Sequence, residues 1–325
     1  MNKSKKESFS IIEYIGFALI MVIVGLICVF VGSTGVNFQL NSIMLYVRIP
    51  RVLCVALEGA ALSVAGVAMQ ILLRNPLADG STIGVSSGAS LGAALAIAFG
   101  ITIPGFQGSG TMIMAILFAF ISLLLILSLA YKLDYSLSTN TIILIGVIFS
   151  MFASSIISFI VTFAGDKVKN ITFWTMGSLA GSSYENAITL LVVILIFGII
   201  IFSHTTELNA FAMGENNARN IGVNVKRVKL LILISVAAII GTCVSIGGTI
   251  GFVGLVIPHI TRMIVGPNAK RLLPASLFTG ATFLMLADLC ARTVLSPLEL
   301  PIGVVTSFIG SIVFIYIFYG TRRKK

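Results

Sequence analysis

The chain has 325 residues, of which 58% are hydrophobic and only 10% charged, with a mean hydropathy of +1.10. Such an interior-like composition excludes a soluble globular domain; at about 20 apolar residues per bilayer crossing, it holds about ten spans and no enzyme module. The net charge of +10 does not mark a nucleic-acid groove, because the basic residues sit at the chain ends and in short loops between apolar runs. That is the pattern of topology signals beside anionic lipid.

Lys3, Lys5 and Lys6 precede an apolar run at about 11–31. The run is long enough to cross a bilayer, no small-x-small site follows it, and Ile27 before Cys28 is too large for a lipoprotein cleavage site. It therefore reads as an uncleaved first span. Further runs fall at about 51–73, 83–100, 111–131 and 138–164, and then at about 187–203, 228–247, 250–264, 272–292 and 302–320. The run at 250–264 reads as broken by Gly251, Gly254 and Pro258. An even number of spans puts both termini on one side. If that side is the cytoplasm, only Arg48, Arg51, Lys167, Lys169 and Arg292 of the 21 basic residues remain outside, as the positive-inside bias requires.

Pro50 suits the first turn of the second span, where its missing N–H costs nothing. Arg48 ahead of it is expected to be extended and to point away from the helix. Glu58 lies within the same span, where a charge is costly; it faces a water-filled cavity, pairs with a basic group or carries a proton. Small residues recur at helical spacing (Gly59, Ala60, Ser63 and Gly66, then Ser87, Gly88 and Gly92), which suits close helix packing in lipid. The polar connection from His204 to Lys229 is far longer than a tether needs. Its patterning predicts short surface helices that meet a partner. Asp288 and Arg292 are four residues apart and share a helix face. Glu299 is placed to favour the start of the last helix.

Catalytic chemistry finds little footing. His204 and His259 are the two histidines, far apart and outside any HExxH pattern. The GVSSGA run at 84–89 lacks the GK[ST] ending of a phosphate loop. Cys28, Cys54, Cys243 and Cys290 lie in apolar segments with no CxxC and read as small buried hydrophobes. No catalytic residue, metal site or cofactor is expected.

Ten stretches, in order, resemble the FecCD-type, cobalamin-importer-like permeases of ABC importers for iron–siderophore complexes, haem and cobalamin. They are RIPR at 48–51, GAALSVAGVAMQ at 59–70, RNPLA at 74–78, IGVSSGA at 83–89 and WTMGSL at 174–179. The others are Met213-Gly214-Glu215 with Ala218 and Gly222, GFVGLVIPH at 251–259, Leu272-Leu273-Pro274, Ala287-Asp288, and ELPIGVVT at 299–306. The resemblance implies an all-α polytopic protein of about ten transmembrane helices, with the architecture of a type II ABC importer permease. It implies a dimer with a second permease copy or a related permease and the transport path at the subunit interface, two ABC ATPase subunits beneath, and an extracellular substrate-binding lipoprotein on top. It places a cytoplasmic coupling segment at 205–227, with Ala212, Met213, Gly214, Glu215, Ala218, Arg219 and Gly222 at the ATPase contact. Arg48, Arg51 and Arg292 would meet acidic lobes of the binding protein, and Glu58, Gln70 and Ser87 are candidates for the translocation path. The chain departs from the family pattern at Glu58 and at Asp79-Gly80. Glu58 disfavours anionic cargo, so an iron(III)–hydroxamate siderophore is the expected ligand. Haem, cobalamin, or a proton-coupled carrier using Glu58 or Asp288 are the alternatives.

Overall fold

The computed structural model describes residues 11–32, 35–36, 38–39, 41–102, 109–135 and 137–322. Lys3, Lys5, Lys6, Arg323, Lys324 and Lys325, which enter the topology count, lie outside the described residues. Among those residues, seven helices are long and apolar enough to cross a membrane and three more are shorter but apolar.

In chain order the helices are α1 (Ile11–Phe30), α2 (Met44–Leu72), α3 (Val85–Phe99), α4 (Ser109–Leu133) and α5 (Thr139–Phe163). The short α6 (Val168–Thr175) and the spanning α7 (Tyr184–Ser203) follow. Two short helices, α8 (Thr205–Ala212) and α9 (Glu215–Asn220), precede α10 (Val225–Gly247), α11 (Val253–Val265), α12 (Ala269–Thr293) and α13 (Ile302–Arg322). The strands among the described residues are a two-residue antiparallel pair, Val31–Gly32 with Gly35–Val36.

Helix starts follow local chemistry. Ser183 and Asn224 cap α7 and α10 by accepting from the Asn186 and Arg227 amides, so both helices begin ahead of their apolar runs. In α2 the turn Met44–Arg48 is a π-turn. Its wider ring leaves the Leu45 carbonyl facing Pro50, which has no N–H to offer, and the Tyr184 hydroxyl donates to Leu45 O at 2.7 Å instead. Arg48 is therefore helical (φ −74°, ψ −48°), not extended. The expectation for α11 is corrected in the same way. The helix runs unbroken through Pro258, because the Gly254 carbonyl that the proline leaves unpaired accepts from Gln70 Nε2.

Burial sorts the spans into an inner and an outer set. Within their most apolar windows, α2 and α10 are 83% and 78% buried, whereas α1, α4, α5 and α7 are 28% buried or less. Helix α2 is the hub, packed along α12 and against α10 and α11, while α3 packs on α4 and α5. Its approach to α12 and α11 depends on glycine. A Cβ at Gly59 would collide with the Gly280 carbonyl, and one at Gly66 with the Gly254 carbonyl. In lipid, such backbone proximity and dispersion hold helices together, since the surrounding tails are as apolar as the helix faces.

Candidate functional site

A partly open cavity of about 360 Å³ is lined by α2, α3, α10, α11 and α13, by the loop between α2 and α3, and by the link between α10 and α11. Glu58 and Leu62 face it from α2, Asp79 and Thr82 from the loop, Ser86, Ser87 and Ser90 from α3, and Cys243 from α10. No lysine, arginine or histidine lines it among the described residues. Glu58 is fully buried, and neither carboxyl oxygen has a hydrogen-bond partner. The carboxyl lies against the end of α10, so that a Cβ at Gly247 would come within 2.6 Å of both oxygens.

Asp79 is arranged differently. Its Oδ1 accepts from the Ser81 amide and hydroxyl at 3.0 and 2.6 Å and from the Thr82 amide at 3.1 Å, which folds the loop into an Asx turn. Burial pushes its carboxyl above the usual range, opposed by these Ser81 and Thr82 donors.

Of the three path candidates, Glu58 and Ser87 line the cavity, and Gln70 does not. Gln70 is 3% exposed, donates to the Gly254 and Leu255 carbonyls, and accepts from Arg262 at 2.9 Å. It braces the proline-containing α11 against α2.

The arginine end is tied together internally. Arg51 donates to Asp288 Oδ1 at 2.9–3.1 Å and to Glu299 at 2.7 Å, and Arg292 Nε lies 3.0 Å from Asp288 Oδ2. Arg48 donates to the Phe30 carbonyl at 2.8 Å and to the Val29 and Gly35 carbonyls at 3.3 Å. All three arginines are buried. The outward aim expected of them is corrected: desolvated guanidiniums need fixed acceptors, and the fold supplies these on α1, α12 and the loop before α13. Asp288 and Arg292 share a face as their spacing predicts. Glu299 serves Arg51 as an ion-pair partner.

At the opposite end, α8 and α9 dock through the buried Leu208, Phe211 and Ala218. The chain turns between and after them at Gly214 (φ +119°) and Gly222 (φ +88°), backbone angles that favour glycine. Ala212, Met213, Arg219 and Gly222 are exposed, whereas Gly214 and Ala218 are buried. Glu215 accepts from Lys229 Nζ at 2.6 Å and from the Thr139 hydroxyl at 3.2 Å, and Lys229 also donates to the Leu137 carbonyl at 2.8 Å. Lys229 is 1% exposed. Sequence reasoning counts it as a topology charge and misses this network. The signal was its position, one helical turn inside α10 and beyond the cap at Asn224.

Residues 11–320 match the FecCD transport family. The chain is 42% identical over 295 residues to the uncharacterized ABC transporter permease protein YvrB of Bacillus subtilis, covering 90% of this chain and 84% of that protein. It is 36% identical over 283 residues to the cobalamin import system permease protein BtuC of Halobacterium salinarum, covering 87% and 75%. A solved inward-facing structure of a metal-chelate type ABC transporter superposes with a TM-score of 0.87 at 34% identity, covering 95% of this chain and 99% of that one. With ten apolar helices among its described residues, the chain belongs to the FecCD transport family and is a membrane permease subunit of a metal-chelate type ABC importer.

Proposed function

We propose that this permease imports an iron(III)–siderophore complex of the hydroxamate type by alternating access. It works as a dimer with a second copy or a related permease. Two ABC ATPase subunits seat on the end formed by α8 and α9, and an extracellular lipoprotein delivers cargo at the arginine end. ATP binding and hydrolysis in the partners move α8 and α9, and the Glu215–Lys229 pair carries that motion to α10.

The observation that supports this cargo is the lining of the central cavity, which has two carboxyls, several hydroxyls and no basic side chain among the described residues. An anionic catecholate complex or the propionates of haem would find only carboxyls and hydroxyls there and no basic partner, and a desolvated anion without a partner is costly. A neutral or cationic hydroxamate complex would not. Arg51 and Arg292 pair with the two carboxylates Asp288 and Glu299 while Arg48 bonds backbone carbonyls, so the three arginines leave net positive charge in that cluster, which favours approach of an acidic protein face.

The test is uptake into proteoliposomes holding the permease, its ATPase and its binding protein. Radiolabelled ferric trihydroxamate should accumulate with ATP, ahead of haemin, cobalamin and ferric catecholate, and should not respond to a proton gradient alone. Preferential haemin or cobalamin uptake would overturn the cargo, and proton-driven uptake would overturn the mechanism.

A further inference from the structure

Glu58 has no counterpart in the fold. A buried carboxylate normally finds a cation or several donors, as Asp79 does from Ser81 and Thr82. Glu58 is fully buried, more so than the partly buried Asp79, yet its two oxygens accept nothing, and it borders the central cavity. It also lies against Gly247, the last residue of α10, where the helix dipole adds further negative potential.

A bare metal ion is a poor match. No group of three or more His, Cys, Asp or Glu side chains gathers among the described residues, whereas hard cations take six or more oxygen ligands. An organic ammonium suits the geometry better. Its N–H donors match the acceptors in the lining, Glu58, Ser86 and Ser87, and an alkyl stem matches the apolar Leu62, Ile240 and Val244. At about 360 Å³ the cavity is near the small end of ligand sites, which suits a pendant arm better than a whole metal chelate.

We infer that the central cavity is an alkylammonium-binding subsite with Glu58 as the ion-pair partner, so that the permease favours cargo bearing a positively charged arm. For the cargo this rests on the import reading above, but the cation preference is readable without any cargo.

Ser87 lines the same cavity, so Ser87→Cys places a reporter thiol there. The full-length protein is treated with methanethiosulfonates carrying an ethylammonium or an ethylsulfonate group. Labelling of that cysteine is followed by mass spectrometry, and each rate is divided by the reagent's rate with a free thiol. The cation is expected to win by about ten-fold, with the preference collapsing in E58Q and surviving in E58D. Equal rates, a preference that E58Q leaves intact, or no labelling by either reagent would overturn the subsite.

The second arm compares two ferric trihydroxamates that differ only in a free or an N-acetylated terminal ammonium. E58Q should lower the uptake ratio of the ammonium form to the acetylated form by about ten-fold. An unchanged ratio counts against the inference. If neither chelate enters, the cargo reading fails, while the labelling result still decides the cavity's cation preference.

Discussion

Asp288 is 1% exposed and serves two guanidiniums, those of Arg51 on α2 and Arg292 on its own helix. Removing one partner from such a buried cluster costs more than the cluster contributes, because the remaining charges are stranded without water. Asp288→Asn is therefore expected to destabilise the permease by about 3 kcal/mol, read as a lower Tm in detergent. An unchanged Tm would mean that the brace carries no stability. The same geometry governs charge reversal at Arg51. A glutamate there would join Asp288 and Glu299, so lost uptake would report a broken brace and not a lost docking contact. The Asp288–Arg292 pairing was legible from spacing alone, since i,i+4 residues on a helix must be neighbours. The share taken by Arg51, 237 residues away in sequence, was not legible, because no local pattern records which helices meet.

At the scale of elements, helix existence followed from apolar runs, and helix starts from caps such as Ser183 and Asn224. Reading the runs alone placed the starts of α7, α10 and α12 three residues late, because capping residues and the first turn are polar. The prolines misled twice, at Pro50 and Pro258. In both cases a distant side chain, Tyr184 or Gln70, supplies the hydrogen bond that the ring withholds. The link between α9 and α10 also belongs to this scale. Lys229 joins Glu215, the Leu137 carbonyl and, through Glu215, Thr139 at the start of α5. Lys229→Met keeps the length of the stem but removes the charge. The complex should then hydrolyse several-fold more ATP per chelate imported, measured as hydrolysis and uptake in the same proteoliposomes. A ratio equal to wild type would show that motion of α9 reaches α10 by another route.

Over the whole molecule, orientation decides which partner meets which end. Ile221, just after α9, and Leu298, before α13, are 69% and 73% exposed and lie at opposite ends. A cysteine replacing Ile221 should react with an impermeant maleimide only in inside-out vesicles, and one replacing Leu298 only in intact cells. The reverse pattern would invert the proposed assembly. Composition and the distribution of lysine and arginine were enough for a polytopic helical membrane protein and its expected orientation, because bilayer thickness and lipid charge act on single segments of the chain. Family membership was legible too, since its motifs lie in short contiguous stretches. Only the tertiary structure decided that Arg48, Arg51 and Arg292 turn inward, that Gln70 is a brace, and that Glu58 borders a cavity with no basic lining among the described residues. Each of these depends on which residues of other helices lie within a few ångströms, and in lipid that choice is made by the packing of glycine-lined faces.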